Sequence, residues 1–504
     1  MDIFSNLAAG FATALSVHNL FYCFLGVFLG TLVGVIPGIG ALSAIAMLLP
    51  FSFKLDPTSA LILLAGIWYG SGYGGRTASI LLNVPGTPSN AVTCLDGYPM
   101  TKQGRGGVAL AMTTLASFFG GTVGVVLLMF MAPTIAQAAL QIGDAEYCAL
   151  MLLGLIAAST MSDDSLAKGL AMVAAGLALG SVGTDIYTGQ FRFNFGTMEL
   201  VDGISIVAIG MGMFGVAEII VGARSAEERQ LSLSPASLRA MKPTKDDVRR
   251  SWFPMFRGTA TGCFFGTLPG TGATIAAFIA YAVERRFAKE PERFGKGAIE
   301  GVMAPESADN AAEMTAFIPT LALGVPGSAT MALMLGALMI NGIPPGPMLI
   351  QTQPNLFWGL VASFWIGNVM LVILNLPLIG MWVRVLQIPF HWLYPSILVF
   401  ICVGAFSISN SAFDVWLIVV FGLIGYAARL LHLPVAPLIL GFVLGPLIEE
   451  HFRRAMLISA GDLSVFFTRP ISGTIMAICV LLLLFGLVKS ARASRAKRLS
   501  ARAG

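Results

Sequence analysis

The sequence predicts an all-α polytopic membrane protein made of two inverted repeats, each with a re-entrant Pro-Gly hairpin and a second broken helix. Three observations predict it. The chain of 504 residues is 56% hydrophobic and 11% charged, with a mean hydropathy of +0.82, which is more apolar surface than a soluble fold buries. Its apolar runs are broken by Pro-Gly pairs at 37–38, 85–86, 269–270 and 326–327. These breaks come in matching strings: GVIPGIGA at 34–41 with GTLPGTGA at 266–273, and VPGT at 84–87 with VPGS at 325–328. The same breaks in the same order mark a duplicated membrane fold.

The hairpin at 258–283 is the clearest element. It holds 26 residues without a charge, enough for a membrane span. Yet Pro269 removes a helix hydrogen bond, and Gly266, Gly270 and Gly272 tolerate left-handed backbone. Each arm is then about 10–12 residues, or about 15–18 Å of helix, and reaches the bilayer midplane. Both flanks are basic, with Arg249, Arg250 and Arg257 before it and Arg285, Arg286 and Lys289 after it. The positive-inside rule puts both flanks in the cytoplasm, so the segment enters and leaves on one side.

Taken in order, residues 1–222 form the first repeat. A mildly amphipathic stretch at 1–18 suits the membrane interface. A hairpin near 21–50 follows, then an apolar run at 58–82 and a broken helix near 83–90. Lys102 and Arg105 mark a cytoplasmic loop, and Asp96 caps a turn with Gly97. Apolar spans near 108–131, 146–161, 166–182 and 203–222 return the chain to the cytoplasm. A basic cytoplasmic linker at 223–257 reads as a surface-lying amphipathic helix that joins the halves. The second repeat, 258–488, has its broken helix near 324–330 and spans near 355–379, 392–408, 413–428, 434–448 and 471–488. Residues 489–504 are a basic cytoplasmic tail. The hairpin loop is weakly charged in the first half and basic in the second. The loop after the second break is basic at 97–107 and uncharged at 341–354, so the halves are inverted. Arg453, Arg454 and Arg469 fit this count poorly, since they fall in a loop it places outside.

Broken backbone at membrane depth survives only where it is buried in protein or lines a polar cavity. Half-helix N-termini there suit carboxylates, and freed carbonyls suit a small cation. The candidate substrate-binding residues are therefore Pro37, Gly38 and Gly40 at one tip and Pro269, Gly270, Thr271 and Gly272 at the other. Asn83, Gly86, Thr87, Ser89, Gly327 and Ser328 join them from the second breaks. Arg76 pairs a substrate carboxylate, belongs to an internal ion pair or snorkels to the interface. Glu306, Asp309 and Asn310, with Glu313 beyond, line the path of a coupling ion, or else Glu306 and Asp309 sit at a helix N-terminus and favour its dipole.

Enzyme signatures are missing: there is no H-E-x-x-H, G-x-S-x-G or Walker P-loop, and the four histidines are scattered. The six cysteines form no C-x-x-C pair and read as small buried apolar groups. The net charge of +4 is concentrated in the linker and the tail, which speaks for topology and against nucleic acid as a partner. No cleaved signal peptide is expected, and no cofactor. Paired hairpins closing on a midplane site favour alternating access over a channel.

These motifs resemble the large membrane subunit of the tripartite tricarboxylate transporter family, over nearly the whole chain. The resemblance rests on GVIPGIG at 34–40, YGG at 73–75, LLNVPGT at 81–87, LDGYPM at 95–100, GRG at 104–106 and GVPGS at 324–328. It implies uptake of a carboxylate across the bacterial inner membrane, coupled to Na+ or H+, with a small membrane subunit and a periplasmic substrate-binding protein as partners. It also implies a place in the ion-transporter superfamily, whose members are commonly elevator-type homodimers. Arg76 stands where the family more often has Ser, and Asp309 where it has Asn. The expected substrate is thus a tricarboxylate, a dicarboxylate or an aromatic acid, with a stand-alone anion transporter or channel as the alternative.

Overall fold

The computed structural model describes residues 2–36, 40–161, 165–185, 187–225, 241–385 and 390–503. Helix α1 (Ile3–Ala14) leads into α2 (Val17–Val35), α3 (Gly40–Ser52) and α4 (Pro57–Leu82). After the break at 83–88 come a 3-10 turn (Ser89–Ala91), α5 (Cys94–Lys102), α6 (Gly106–Ala139), α7 (Asp144–Met161) and α8 (Leu166–Gly180). Gly183–Thr184 and Phe191–Arg192 form a two-residue antiparallel hairpin outside the helical plan. Then α9 (Ile206–Gly210) and α10 (Ala217–Ser225) are joined by a π-helical turn, Met211–Val216.

The second half contains α11 (Lys245–Gly266), α12 (Gly272–Phe287), α13 (Glu300–Thr315), α14 (Phe317–Leu323) and α15 (Ala329–Ile340). It ends with α16 (Leu349–Thr352), α17 (Pro354–Asn375), α18 (Ile379–Val385), α19 (Phe390–Ser409), α20 (Ala412–Leu430), α21 (Val435–Ile458), α22 (Val465–Thr468) and α23 (Pro470–Ala503). Among the described residues, six helices are long and apolar enough to cross a membrane.

Local chemistry sets several helix ends. Asp56 accepts from the Thr58 and Ser59 amides just ahead of α4, with Pro57 in the first helical position. Thr244 and Asp247 form a reciprocal capping box that opens α11. Because α11 starts at Lys245, residues 245–257 are not a separate linker helix but the base of the hairpin's first arm, which is 22 residues long. Residues 226–240 of the expected linker lie outside the described residues.

Two seams of small residues hold the centre together. Along α2, Gly26, Gly30 and Gly34 lie against α4; a Cβ on Gly34 would sit 2.2 Å from the Ser71 carbonyl oxygen. Along α11, Gly258, Gly262 and Gly266 lie against α13; a Cβ on Gly262 would sit 2.1 Å from the Ala308 carbonyl oxygen. Such seams let helix backbones approach where lipid supplies no hydrophobic drive. As a result α4 is buried without interruption from Ser59 to Ile80, and α13 from Gly301 to Thr315.

Three further expectations need correction. Asp96 does not cap a turn with Gly97. Its Oδ1 accepts from the Gly297 and Ala298 amides at 2.8 Å, and Tyr281 donates to Oδ2 at 2.9 Å, so it fastens the residues leading into α13. Glu306 and Asp309 are not at a helix N-terminus, because α13 starts at Glu300. Arg453 and Arg454 are not in a basic loop, because α21 runs on to Ile458. Arg453 pairs with Asp185 at 3.0 Å and Glu449 at 2.6 Å, Arg454 with Glu450 at 2.5 Å, and Arg469 with Glu146 at 3.2 Å. At the other end, α1 packs along α17, where Gly10 lies against the Trp358 backbone.

Candidate functional site

Each described break is held by its own backbone geometry. Asn83 ends α4 in the left-handed region with φ 58°, and Gly324 ends α14 in the same way with φ 72°. Gly40 opens α3 with φ 63°, and Gly272 opens α12 with φ 64°. Gly270 has φ 83°, and its amide donates to the Gly327 carbonyl at 3.0 Å, joining two breaks directly. Thr271 Oγ1 donates to the Phe265 and Leu268 carbonyls, which satisfies acceptors at the end of α11. Thr87 Oγ1 donates to Asn90 Oδ1 at 2.6 Å and fixes the loop after Gly86.

The breaks surround a cavity of about 540 Å³, a volume typical of small-molecule sites. Three helices point their N-termini into it: α3 through residues 40–43, α12 through 272–274, and α15 through 328–330. The first amides of each helix have no intrahelical partner and carry partial positive charge. At α15 the Ser328 hydroxyl accepts from the Met331 amide; at α12 no side chain caps the terminus. Residues 85–89 complete one wall, with Trp68 and Ser71 from α4. Charge enters through Glu313 of α13, Glu218 of α10 and Arg429 of α20.

Of the expected substrate-binding residues, Gly40, Gly86, Thr87, Ser89, Gly272 and Ser328 line this cavity. Pro37 and Gly38 lie outside the described residues. Asn83, Pro269, Gly270, Thr271 and Gly327 shape the breaks without lining it. Arg76 is 1% exposed and fully engaged. Its Nη1 donates to the Thr113 carbonyl at 3.0 Å and to Ser117, its Nη2 to Thr114 at 3.1 Å, and its guanidinium lies over the Tyr73 ring. Glu306 Oε2 is 3.9 Å from Nη1.

Glu306, Asp309 and Glu313 fall on one face of α13 by their helical spacing. Glu306 is well supplied, accepting from Asn90 at 3.2 Å, Thr93 at 2.6 Å and Ser117 at 3.4 Å. Asp309 Oδ1, Asn310 Oδ1 and Glu313 Oε2 are buried without a hydrogen-bond partner. Buried oxygens of this kind can ligate a small cation or share a proton. No group of three His, Cys, Asp or Glu side chains among the described residues is placed to hold a metal ion. Ser43, Thr274 and Thr330 were missed in the sequence, although each follows a break within the first helical turn. Glu218 and Arg429 gave no such signal, since both look like charges flanking an apolar run.

Residues 20–440 match the model of the tripartite tricarboxylate transporter TctA family. The chain belongs to this family. An uncharacterized 52.8 kDa protein in the TAR-I ttuC' 3' region of Agrobacterium vitis is 50% identical over 497 residues, 99% of each chain. A second uncharacterized protein, in the TAR-II ttuC' 3' region of the same organism, is 52% identical over 234 residues, covering 46% of this chain and 97% of that one. The TctA family is a transporter family, and its members work with small membrane and periplasmic binding subunits. With its apolar helices, this TctA chain is a multi-pass membrane protein. All four breaks, Glu218 and Arg429 fall within the TctA match.

Proposed function

We propose that this chain is the permease subunit of a three-part system that takes up a carboxylate across the bacterial inner membrane by ion-coupled secondary transport. The observation that carries this reading is the convergence of three helix N-termini on one cavity. Each carries partial positive charge and first-turn amides without an intrahelical partner, worth about 0.3–2 kcal/mol per favourable contact with an anion. The substrate is a tricarboxylate, a dicarboxylate or an aromatic acid. Na+ or H+ is coupled through Glu306, Asp309 and Asn310, whose face of α13 ends at the cavity wall in Glu313. The matching glycine seams and left-handed break residues support an inverted-repeat fold, and the family resemblance makes it an elevator-type dimer.

The test is uptake of citrate, succinate and benzoate into proteoliposomes. These contain the chain with its small membrane subunit, with a periplasmic binding protein added outside. Accumulation that requires a Na+ or H+ gradient and the binding protein is the expected result. Gradient-independent flux through the chain alone would mean a channel. No flux of any carboxylate under either gradient would end the carboxylate reading.

A further inference from the structure

Arg429 is the only Lys or Arg among the described residues lining the cavity. It stands one residue from the end of α20 and pairs through Nη2 with Glu218 Oε2 of α10. The backbone fixes where this pair stands. A Cβ on Gly425 would lie 2.8 Å from Met213 Cα, and one on Gly212 would lie 2.7 Å from the Ile418 carbonyl oxygen. So α20 is pressed against the π-helical turn ahead of α10, and the guanidinium cannot drift from the cavity with its helix. Arg429 and Glu218 are 38% and 18% exposed at their side chains. An ion pair in contact with a hydrated cavity is weak and exchangeable. A guanidinium has five N–H donors in a planar fork suited to a carboxylate, and the Glu218 bond runs through one of its nitrogens. Arg76 is in the opposite condition, buried with both terminal nitrogens committed.

We propose that Arg429 receives a second carboxylate of the substrate, exchanging Glu218 for it while the first carboxylate sits at the helix N-termini. This rests on the carboxylate reading of the cavity and makes Arg429 the residue that favours polycarboxylates over monocarboxylates. A substrate with one carboxylate is held by the N-termini and leaves the Arg429–Glu218 pair closed. A dianion or trianion brings a charge that the N-termini alone do not match. Glu313, also at the wall, repels that charge, so the cation at Arg429 is where it is stabilised. Glu218 then acts as a competitor that holds the guanidinium oriented when the site is empty.

The test measures binding of succinate, citrate and benzoate to the full chain, co-purified with its small membrane subunit in lipid nanodiscs. For R429Q the expected result is about ten- to a hundredfold weaker succinate and citrate binding, the loss of one charge-assisted contact. Benzoate binding changes by less than about twofold. E218Q removes the competitor and tightens succinate binding, and R429K recovers part of what R429Q loses. A purely structural bridge between α10 and α20 predicts something else: R429Q and E218Q would lose all three ligands together, and that result overturns the proposal. Equal succinate binding by R429Q and the unaltered chain also overturns it, without touching the carboxylate reading. Binding of none of the three probes by the unaltered chain would remove both.

Discussion

The Asn90 side chain donates to Glu306 Oε1 at 3.2 Å, so a break of the first half is stapled to a helix of the second. Thr93 reaches the same oxygen at 2.6 Å, and Arg76 balances the charge from 3.9 Å on the other side. Glu306 is thereby the satisfied end of a carboxylate row that continues to Asp309 and Glu313, where Asp309 Oδ1 and Glu313 Oε2 have no partner. The two ends of the row therefore differ in how fully the protein itself matches their oxygens.

Arg76 stands at the matched end. Arg76→Met leaves Glu306 buried without its cation and is expected to destabilise the protein by about 3–5 kcal/mol. Adding Glu306→Gln removes the stranded charge and recovers much of that loss. Thermal unfolding in detergent of the two single variants and the double variant measures the coupling. Additive losses would show that the two residues do not stabilise one another.

Asp309 and Glu313 each keep an unpaired oxygen, which makes them the test of the proposed coupling path. Asp309→Asn and Glu313→Gln are expected to abolish gradient-driven accumulation while exchange of internal for external carboxylate persists. A vesicle assay of net uptake beside counterflow separates the two. Accumulation at the unaltered level in both variants would take the coupling ion away from α13.

The tip at Gly270 tolerates no side chain. Its φ is +83°, and a Cβ there would lie 2.6 Å from the Ala158 amide nitrogen and 2.9 Å from Ala157. Gly270→Val should therefore abolish uptake with protein still present in the membrane. Gly380, with open space around its would-be Cβ, should accept valine with little change. Uptake and membrane abundance measured side by side decide the matter; equal effects at the two sites would refute the assignment of the tip.

The loop at 103–105, the first turns of α11 and the segment at 290–296 meet. Gln103 donates to the Lys296 carbonyl at 2.8 Å, Arg105 pairs with Asp247, and Arg250 pairs with Glu290 at 2.8 Å. The Arg250 guanidinium, helped by Arg293, holds Glu290 below the usual carboxylate range. Single cysteines at Lys102, Lys242 and Arg293 in a cysteine-free background should all be shielded from an impermeant thiol reagent in intact cells. One at Gln353 should be labelled. Labelling at 293 but not at 242 would make residues 258–283 a full crossing and exclude the hairpin.

The sequence by itself determined where the helices break. A proline lacks its amide hydrogen and a glycine lacks its Cβ wherever they stand, so four interruptions in apolar runs could be read without the fold. The left-handed residues Asn83, Gly270, Gly272 and Gly324 fall within or beside the expected breaks. The seams at Gly26, Gly30, Gly34 and at Gly258, Gly262, Gly266 were also written in the chain as a four-residue spacing. Only the tertiary structure decided which charges face the cavity. Arg76 could be read as the substrate's cation or as half of an internal ion pair, and the fold sets it beside Glu306; Arg429 looked like a flanking charge and lines the site. The start of α13 was likewise illegible, because the residues leading into it are fastened by Asp96 from the other half of the chain. A break is a property of local covalent geometry. The partner of a charge is a property of the path the chain takes, and residues 218 and 429 meet only once that path is closed.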